Sequence, residues 1–244
     1  MVEFIVIVES RADAETATKL AERVLVEQVN WLDEEQLQYF FQWSGLEEST
    51  SYSCWKNINP ISQRFKETLN YRPPRFLGHG TSGPLKADGA AAMKVLNLIR
   101  FLQRNRKIEA VLLIRDLDNQ PQRRKGLKQA RTEHAGKPPS LAIVIGTANR
   151  MREAWVLNGF IALTDEEEML LQDKLGMLQF DPCKESHRLQ SPSAGHQDVW
   201  RKSKTVLKDL TVDNYFREQQ CWEETSLEHL RQTGIYTGLT EYLT

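Results

Sequence analysis

Three short runs of uninterrupted apolar residues punctuate the chain: Phe4 to Val8 (FIVIV), the opening of VLLIRDLD at residues 111–118, and Leu141 to Ile145 (LAIVI). None alternates with polar positions, so each predicts a strand buried on both faces, as in a parallel sheet. Between them the apolar spacing changes to a helical period. From about Asp13 the positions Ala17, Leu20, Ala21, Val24 and Leu25 fall on one face, and from Ala87 to Arg106 so do Ala91, Val95, Leu98, Ile99 and Leu102. A basic helix is expected after Pro121, closed by Pro138-Pro139. Another begins in NRMREAWVLNGF, with Trp155 and Phe160 assigned to the core. Strand and helix therefore alternate, which predicts an α/β, Rossmann-like fold with a mainly parallel sheet flanked by helices.

Two stretches break the rhythm. Residues 31–46 (WLDEEQLQYFFQWSGL) are aromatic-rich and read as partly helical. Residues 51–84 read mostly as loop, extended at Arg72-Pro73-Pro74-Arg75 and flexible at Gly78-His79-Gly80. Beyond residue 165 the alternation stops. TDEEEMLLQDKLG reads as a short acidic-headed helix, residues 180–198 as a polar surface loop, WRKSKTVLKDL as helical, and residues 221–243 as one final helix with a glycine-marked end. This organisation predicts a core of residues 1–165, interrupted by an insertion at about 31–87, and a helical C-terminal extension over 166–244.

Composition narrows the class without naming a partner. With 40% hydrophobic and 27% charged residues the chain reads as a soluble globular protein. The balance of 32 basic against 33 acidic residues means that any grip on nucleic acid must come from a local basic surface. Cys54, Cys183 and Cys221 are far apart and form no CxxC, so reduced thiols and a cytoplasmic setting are expected. No apolar run approaches a bilayer's thickness, and Met1-Val2-Glu3 lacks a basic leader, so neither a membrane span nor a signal peptide is expected.

The candidate chemistry lies where the strands end. Asp116 and Asp118 stand two apart at the close of the central strand, a spacing that turns both carboxylates to one side if the chain stays extended. Glu9 follows the first strand, and Glu153 falls in the first helical turn after the third. Open α/β sheets bind ligands at this edge. Converging carboxylates repel one another unless a divalent cation intervenes, and oxygen ligands suit Mg²⁺ or Mn²⁺. Asp13 stands at a helix start, where an acid is favourable for capping alone. The run QRRKGLKQAR supplies Arg123, Arg124, Lys125 and Lys128, ordinarily a solvated face but here directly behind the DxD. Arg11 and Arg115 adjoin the acids, and together these six are the candidate phosphate contacts.

VESRADAET around Glu9, RDLD at Asp116 and Asp118, and REAW around Glu153 resemble the Toprim domain, in particular Toprim-like nucleases of the OLD type. They are also similar to small bacterial Toprim-like proteins encoded beside ABC-type ATPases in phage-defence loci. The resemblance covers roughly residues 1–165, with the SHRL and CW segments of the tail also similar. It implies a Mg²⁺-dependent acidic centre made by Glu9, Asp116, Asp118 and Glu153, with Asp13 as the second acid of an EGxxD-like turn. It departs at Ser10, which stands where the family has glycine. The function implied is a metal-dependent nuclease acting on DNA or RNA, an anti-phage effector with an ABC/SMC-like ATPase partner, and self-association is compatible with it. Two other readings stand beside it: a non-catalytic Toprim-like module binding the ATPase or nucleic acid, and a small-molecule phosphotransferase or phosphatase.

Overall fold

The computed structural model describes residues 1–74, 79–80, 83–190 and 196–244. Arg75, Gly78 and the 191–195 part of the polar tail stretch lie outside the described residues. The elements in chain order are β1 (Val2–Val8), α1 (Arg11–Gln28), α2 (Leu37–Phe40), β2 (Phe41–Ser44), β3 (Ser53–Cys54), α3 (Ile58–Thr68), β4 (His79–Gly80), β5 (Gly83–Pro84), α4 (Gly89–Leu102), β6 (Ile108–Asp116), α5 (Gln122–His134), β7 (Ala142–Ala148), α6 (Arg152–Asn158), α7 (Asp165–Leu178), α8 (Ser203–Leu210), α9 (Tyr215–Glu223), α10 (Leu227–Thr233) and α11 (Leu239–Tyr242). This is the expected α/β architecture with a helical C-terminal region. No helix of the described residues is long and apolar enough to cross a membrane.

The main sheet runs β2-β1-β6-β7, and β3 also pairs with β1. β1 is parallel to β2, β3 and β6. Since β6 takes one edge of β1, β2 and β3 share the other, β2 beside Val2–Ile5 and β3 beside Ile7–Val8. The central strands are sealed on both faces: Ile5 to Val8 and Val111 to Ile114 are all buried. That is why their sequence lacks alternation. β7 ends the strand order, and there Ala142 and Val144 are exposed, so LAIVI is not the wholly buried strand its composition suggests.

Two compact units share the chain. The first comprises Met1–Thr18, Val29–Arg115 and Gln120–Gly146; the second comprises Lys19–Gln28, Asp116–Asn119 and Thr147–Thr244. The division is thus not a single cut near residue 165. In the first unit, Ile5, Ile7, Val111 and Leu113 meet Ile58, Ile61 and Phe65 of α3 and Val95, Leu96 and Ile99 of α4 in one core. Each such side chain contributes about 1.5–3 kcal/mol by leaving water. α4 and α5 approach closely because residue 126 is glycine; a Cβ there would stand 2.0 Å from the Ala87 carbonyl oxygen.

The 51–84 stretch departs most from expectation. It holds β3, a 3₁₀ turn and α3, whose buried Ile58, Ile61, Ser62 and Phe65 follow a helical period. Pro60 is tolerated because it falls in the first helical turn. Within 31–46 only Leu37–Phe40 is helical, and Phe41–Ser44 is a strand. His79–Gly80 is not merely a flexible link: it pairs antiparallel with Gly83–Pro84.

In the second unit, α6 is buried along its length except at Glu153, with Trp155 and Phe160 in the core as expected. Asn158 is completely buried. Its amide donates to the Cys183 carbonyl (2.8 Å) and Ser186 Oγ (3.3 Å), and its Oδ1 accepts from Thr237 Oγ1 (2.6 Å). Cys183, Ser186 and Leu189 are buried, so this part of the polar stretch is not a surface loop. The last stretch forms α9, α10 and α11 rather than one helix. Ser226 caps α10 by accepting from the His229 amide, and Gly238 takes φ +83° ahead of α11.

Candidate functional site

In the first unit the chain leaves β1 at Glu9 and turns at once into α1. Ser10 makes that turn. Its backbone amide and hydroxyl both donate to Asp13 Oδ2, at 2.7 and 2.8 Å, and the Asp13 amide donates back to Ser10 Oγ at 3.3 Å. This is a reciprocal helix cap. Asp13 is buried, and its placement is that of a capping group.

Glu9 is held by Arg115, whose Nη1 lies 3.0 Å from the carboxylate. The same guanidinium donates through Nε to Asp88 Oδ2 at 2.7 Å, and Arg123 Nε lies 3.5 Å from that oxygen. Glu9, Arg115, Asp88 and Arg123 therefore form an alternating chain of charge. Arg115 also stands 5.7 Å from the centre of the Trp55 ring, and the Trp55 indole donates to the Ile114 carbonyl at 2.7 Å. Asp88 and Trp55 were not singled out by sequence. The only sequence signal for Asp88 is an acid at a helix start, which does not identify its partner.

The cationic candidates separate by environment. Arg115 and Arg123 balance acids inside the unit. Arg11 is exposed and pairs with Glu15 one helical turn on, at 2.6 Å. Arg124, Lys125 and Lys128 lie on α5, Lys125 exposed and the other two partly so.

In the second unit the DxD is a turn rather than a continued strand. β6 ends at Asp116, while Asp118 and Asn119 take φ of +44° and +65°. Asp and Asn tolerate this left-handed region better than most residues. The two-residue period that would align both carboxylates therefore does not extend through Asp118. The turn is fixed by backbone bonds from the Leu117 amide to Ala148 (2.9 Å) and the Asp118 amide to Arg150 (3.0 Å). Asp116 and Asp118 are both partly exposed. Glu153, the second residue of α6, is partly exposed as well. Its neighbour Arg152 is buried, pairs with Glu218 at 2.5 Å and covers the Trp222 ring.

Among the described residues no three His, Cys, Asp or Glu side chains are grouped so as to hold a metal ion. A closed protein cage of the zinc or calcium kind is therefore not what these acids make. Mg²⁺ asks for less, being held commonly by one or two carboxylates, water and the phosphates of its substrate. Asp116 and Asp118, partly exposed at the end of β6, offer carboxylates of the kind that mode uses. The thiols offer no alternative nucleophile: burial raises the Cys54 and Cys183 thiols above their usual range and pushes Cys221 up to about 12, so all stay protonated at neutral pH. Comparison with protein-family models, with curated proteins and with solved structures found no match to this chain.

Proposed function

We propose that this chain is a Toprim-like nuclease that hydrolyses phosphodiester bonds of DNA or RNA with Mg²⁺ or Mn²⁺, acting as the effector of an ABC-type ATPase in anti-phage defence. The observation that carries this reading is the Asp116-Leu117-Asp118 turn at the end of a central strand, with two partly exposed acids and a backbone fixed by hydrogen bonds. Support also comes from the recurrence of acids after sheet strands, at Glu9 behind β1 and Glu153 behind β7. Asp116 and Asp118 are the residues that would hold the ion, with water and the phosphate of the substrate completing its shell. When bound, the ion supplies neutralisation of phosphate charge and polarisation of a phosphate oxygen.

The remaining roles belong to the chain's own side chains. Glu9, the carboxylate that stands behind its own strand, is the candidate general base, and Arg115 holds it from 3.0 Å. Arg124, Lys125 and Lys128 of α5 offer cationic contacts to a polynucleotide backbone.

A non-catalytic binding module is the second reading, favoured by the engagement of Asp13 with Ser10 and of Glu9 with Arg115. One experiment separates the two: full-length wild type, Asp116→Asn and Glu9→Gln are assayed on single- and double-stranded DNA and RNA with Mg²⁺ or Mn²⁺, folding being checked by circular dichroism. Cleavage by the wild type that falls at least a hundredfold in both folded variants supports the nuclease. Three equally inert proteins that still bind nucleic acid or the ATPase establish the module instead.

A further inference from the structure

We propose that the outer edge of β2 is a docking site for an extended, lysine- or arginine-bearing segment of a partner protein. β2 ends the strand order of the main sheet and pairs only with β1 among the described residues, so its other edge is open. An extended peptide adds to such an edge through main-chain hydrogen bonds, and pockets beside it select the side chains.

A pocket lies beside this edge. Its volume is about 400 Å³, it falls within the first unit, and Glu3, Gln42, Trp43, Glu47, Glu48 and Arg106 are among the residues that line it. The loop after β2 forms its wall and is held by its own bonds. The Gly45 amide donates to the Thr50 carbonyl at 2.6 Å, the Leu46 amide to Ser53 Oγ at 2.9 Å, and Thr50 Oγ1 to the Glu47 carbonyl at 2.7 Å. Arg106 is the one cation in the lining, and it is engaged inside the protein. It pairs with Glu3 and donates to the Gly45 and Leu46 carbonyls at 3.0 and 2.9 Å. Arg64 answers Glu47. The exposed carboxylate of Glu48 is left to meet a charge from outside.

The surrounding chain repeats that bias. From Val29 to Trp55 it carries five acidic residues and no lysine, arginine or histidine. Trp31 and Tyr39 are 66% and 72% exposed, and Phe40, directly before β2, meets Trp31 edge to face with ring centres 5.0 Å apart. Aromatic faces attract ammonium and guanidinium groups. Acids near a short edge strand ordinarily keep copies of a protein apart. That accounts for Glu48 but not for three large aromatic side chains left in water beside the same edge, a grouping that marks a contact surface. The acidic charge turns away both a second copy of this edge and a polynucleotide, and it suits a basic strand. None of these residues belongs to the proposed nuclease centre, so the site stands without that reading.

Selection of displayed random octapeptides on the full-length chain tests it. The selected peptides should carry lysine or arginine among β-branched or aromatic residues, and their binding should weaken as salt rises. Made synthetically, they should bind Glu48→Lys and Trp31→Ala roughly tenfold or more weakly than wild type, circular dichroism confirming that both variants fold. Bound to the wild type, the tightest peptide should slow hydrogen exchange at the amides of residues 41–44, and methylation of its alternate backbone nitrogens should abolish binding. Selection of no peptide, selection of peptides without a basic excess, affinity unchanged in both variants, or protection confined to residues outside 29–55 would each overturn the site.

Discussion

Ser10 and Asp13 cap helix α1 for each other, the serine giving its amide and hydroxyl to one carboxylate oxygen of the aspartate at 2.7 and 2.8 Å. The residue that departs from the Toprim-like pattern is thus the residue that starts the helix. Serine serves here where a glycine would leave Asp13 with one donor fewer. Ser10→Ala and Asp13→Ala should each cost about 1 kcal/mol of folding stability, measured as a shift of the urea midpoint at constant slope. If Asp13 only caps, its alanine variant keeps the nuclease rate of the wild type once stability is matched by temperature. A loss of rate as large as that of Asp116→Asn would instead make Asp13 part of the chemistry.

Arg115 holds Glu9 and Asp88 at once, and all three side chains are less than a third exposed. Arg115→Met should therefore destabilise by about 2 kcal/mol, since it removes a charged partner of Glu9 and one of the two cations at Asp88. Lysine should restore only part, because a single ammonium does not reproduce the fork that reaches both acids. A double-mutant cycle with Asp88→Ala should return a coupling of about 1 kcal/mol, and a coupling near zero would show that the pair contributes nothing.

His134 gives the fold a dependence on pH. It is buried at the end of α5 with neither ring nitrogen hydrogen-bonded among the described residues. Burial, assisted by Lys137 and Arg100 and opposed by Glu133, lowers its pKa from 6.5 to about 4. The unfolded chain therefore takes up this proton first. Stability from the neutral ring is complete above about pH 6.5 and drains away as pH falls toward 4, by up to about 3 kcal/mol. Urea midpoints at pH 7.5 and 5 should differ more for the wild type than for His134→Leu. Equal differences would show that other groups set the slope.

The fold is legible in the sequence where a pattern is long or sealed. The core strands β1 and β6 are legible because burial on both faces leaves no polar position. α1, α4 and α5 are legible because their periods run for three turns or more. β2 was not, because four residues (FQWS) carry no usable period and the strand exists through its pairing with β1. α3 has a clean period at Ile58, Ile61 and Phe65, but Pro60 and the polar residues between them read as loop. The acids at strand ends were legible one at a time. Their partners were not: nothing at position 88 says that its carboxylate meets Arg115, and the left-handed turn at Asp118 follows from backbone bonds to Ala148 and Arg150 that no local motif encodes.

Asn158 sets the order in which the second unit is able to close. Its amide is met by groups 25, 28 and 79 positions downstream, the last of them Thr237 near the end of the chain. A growing polypeptide consequently holds that amide incomplete until residue 237 has been made. The turn around Thr237 is the keystone of that unit.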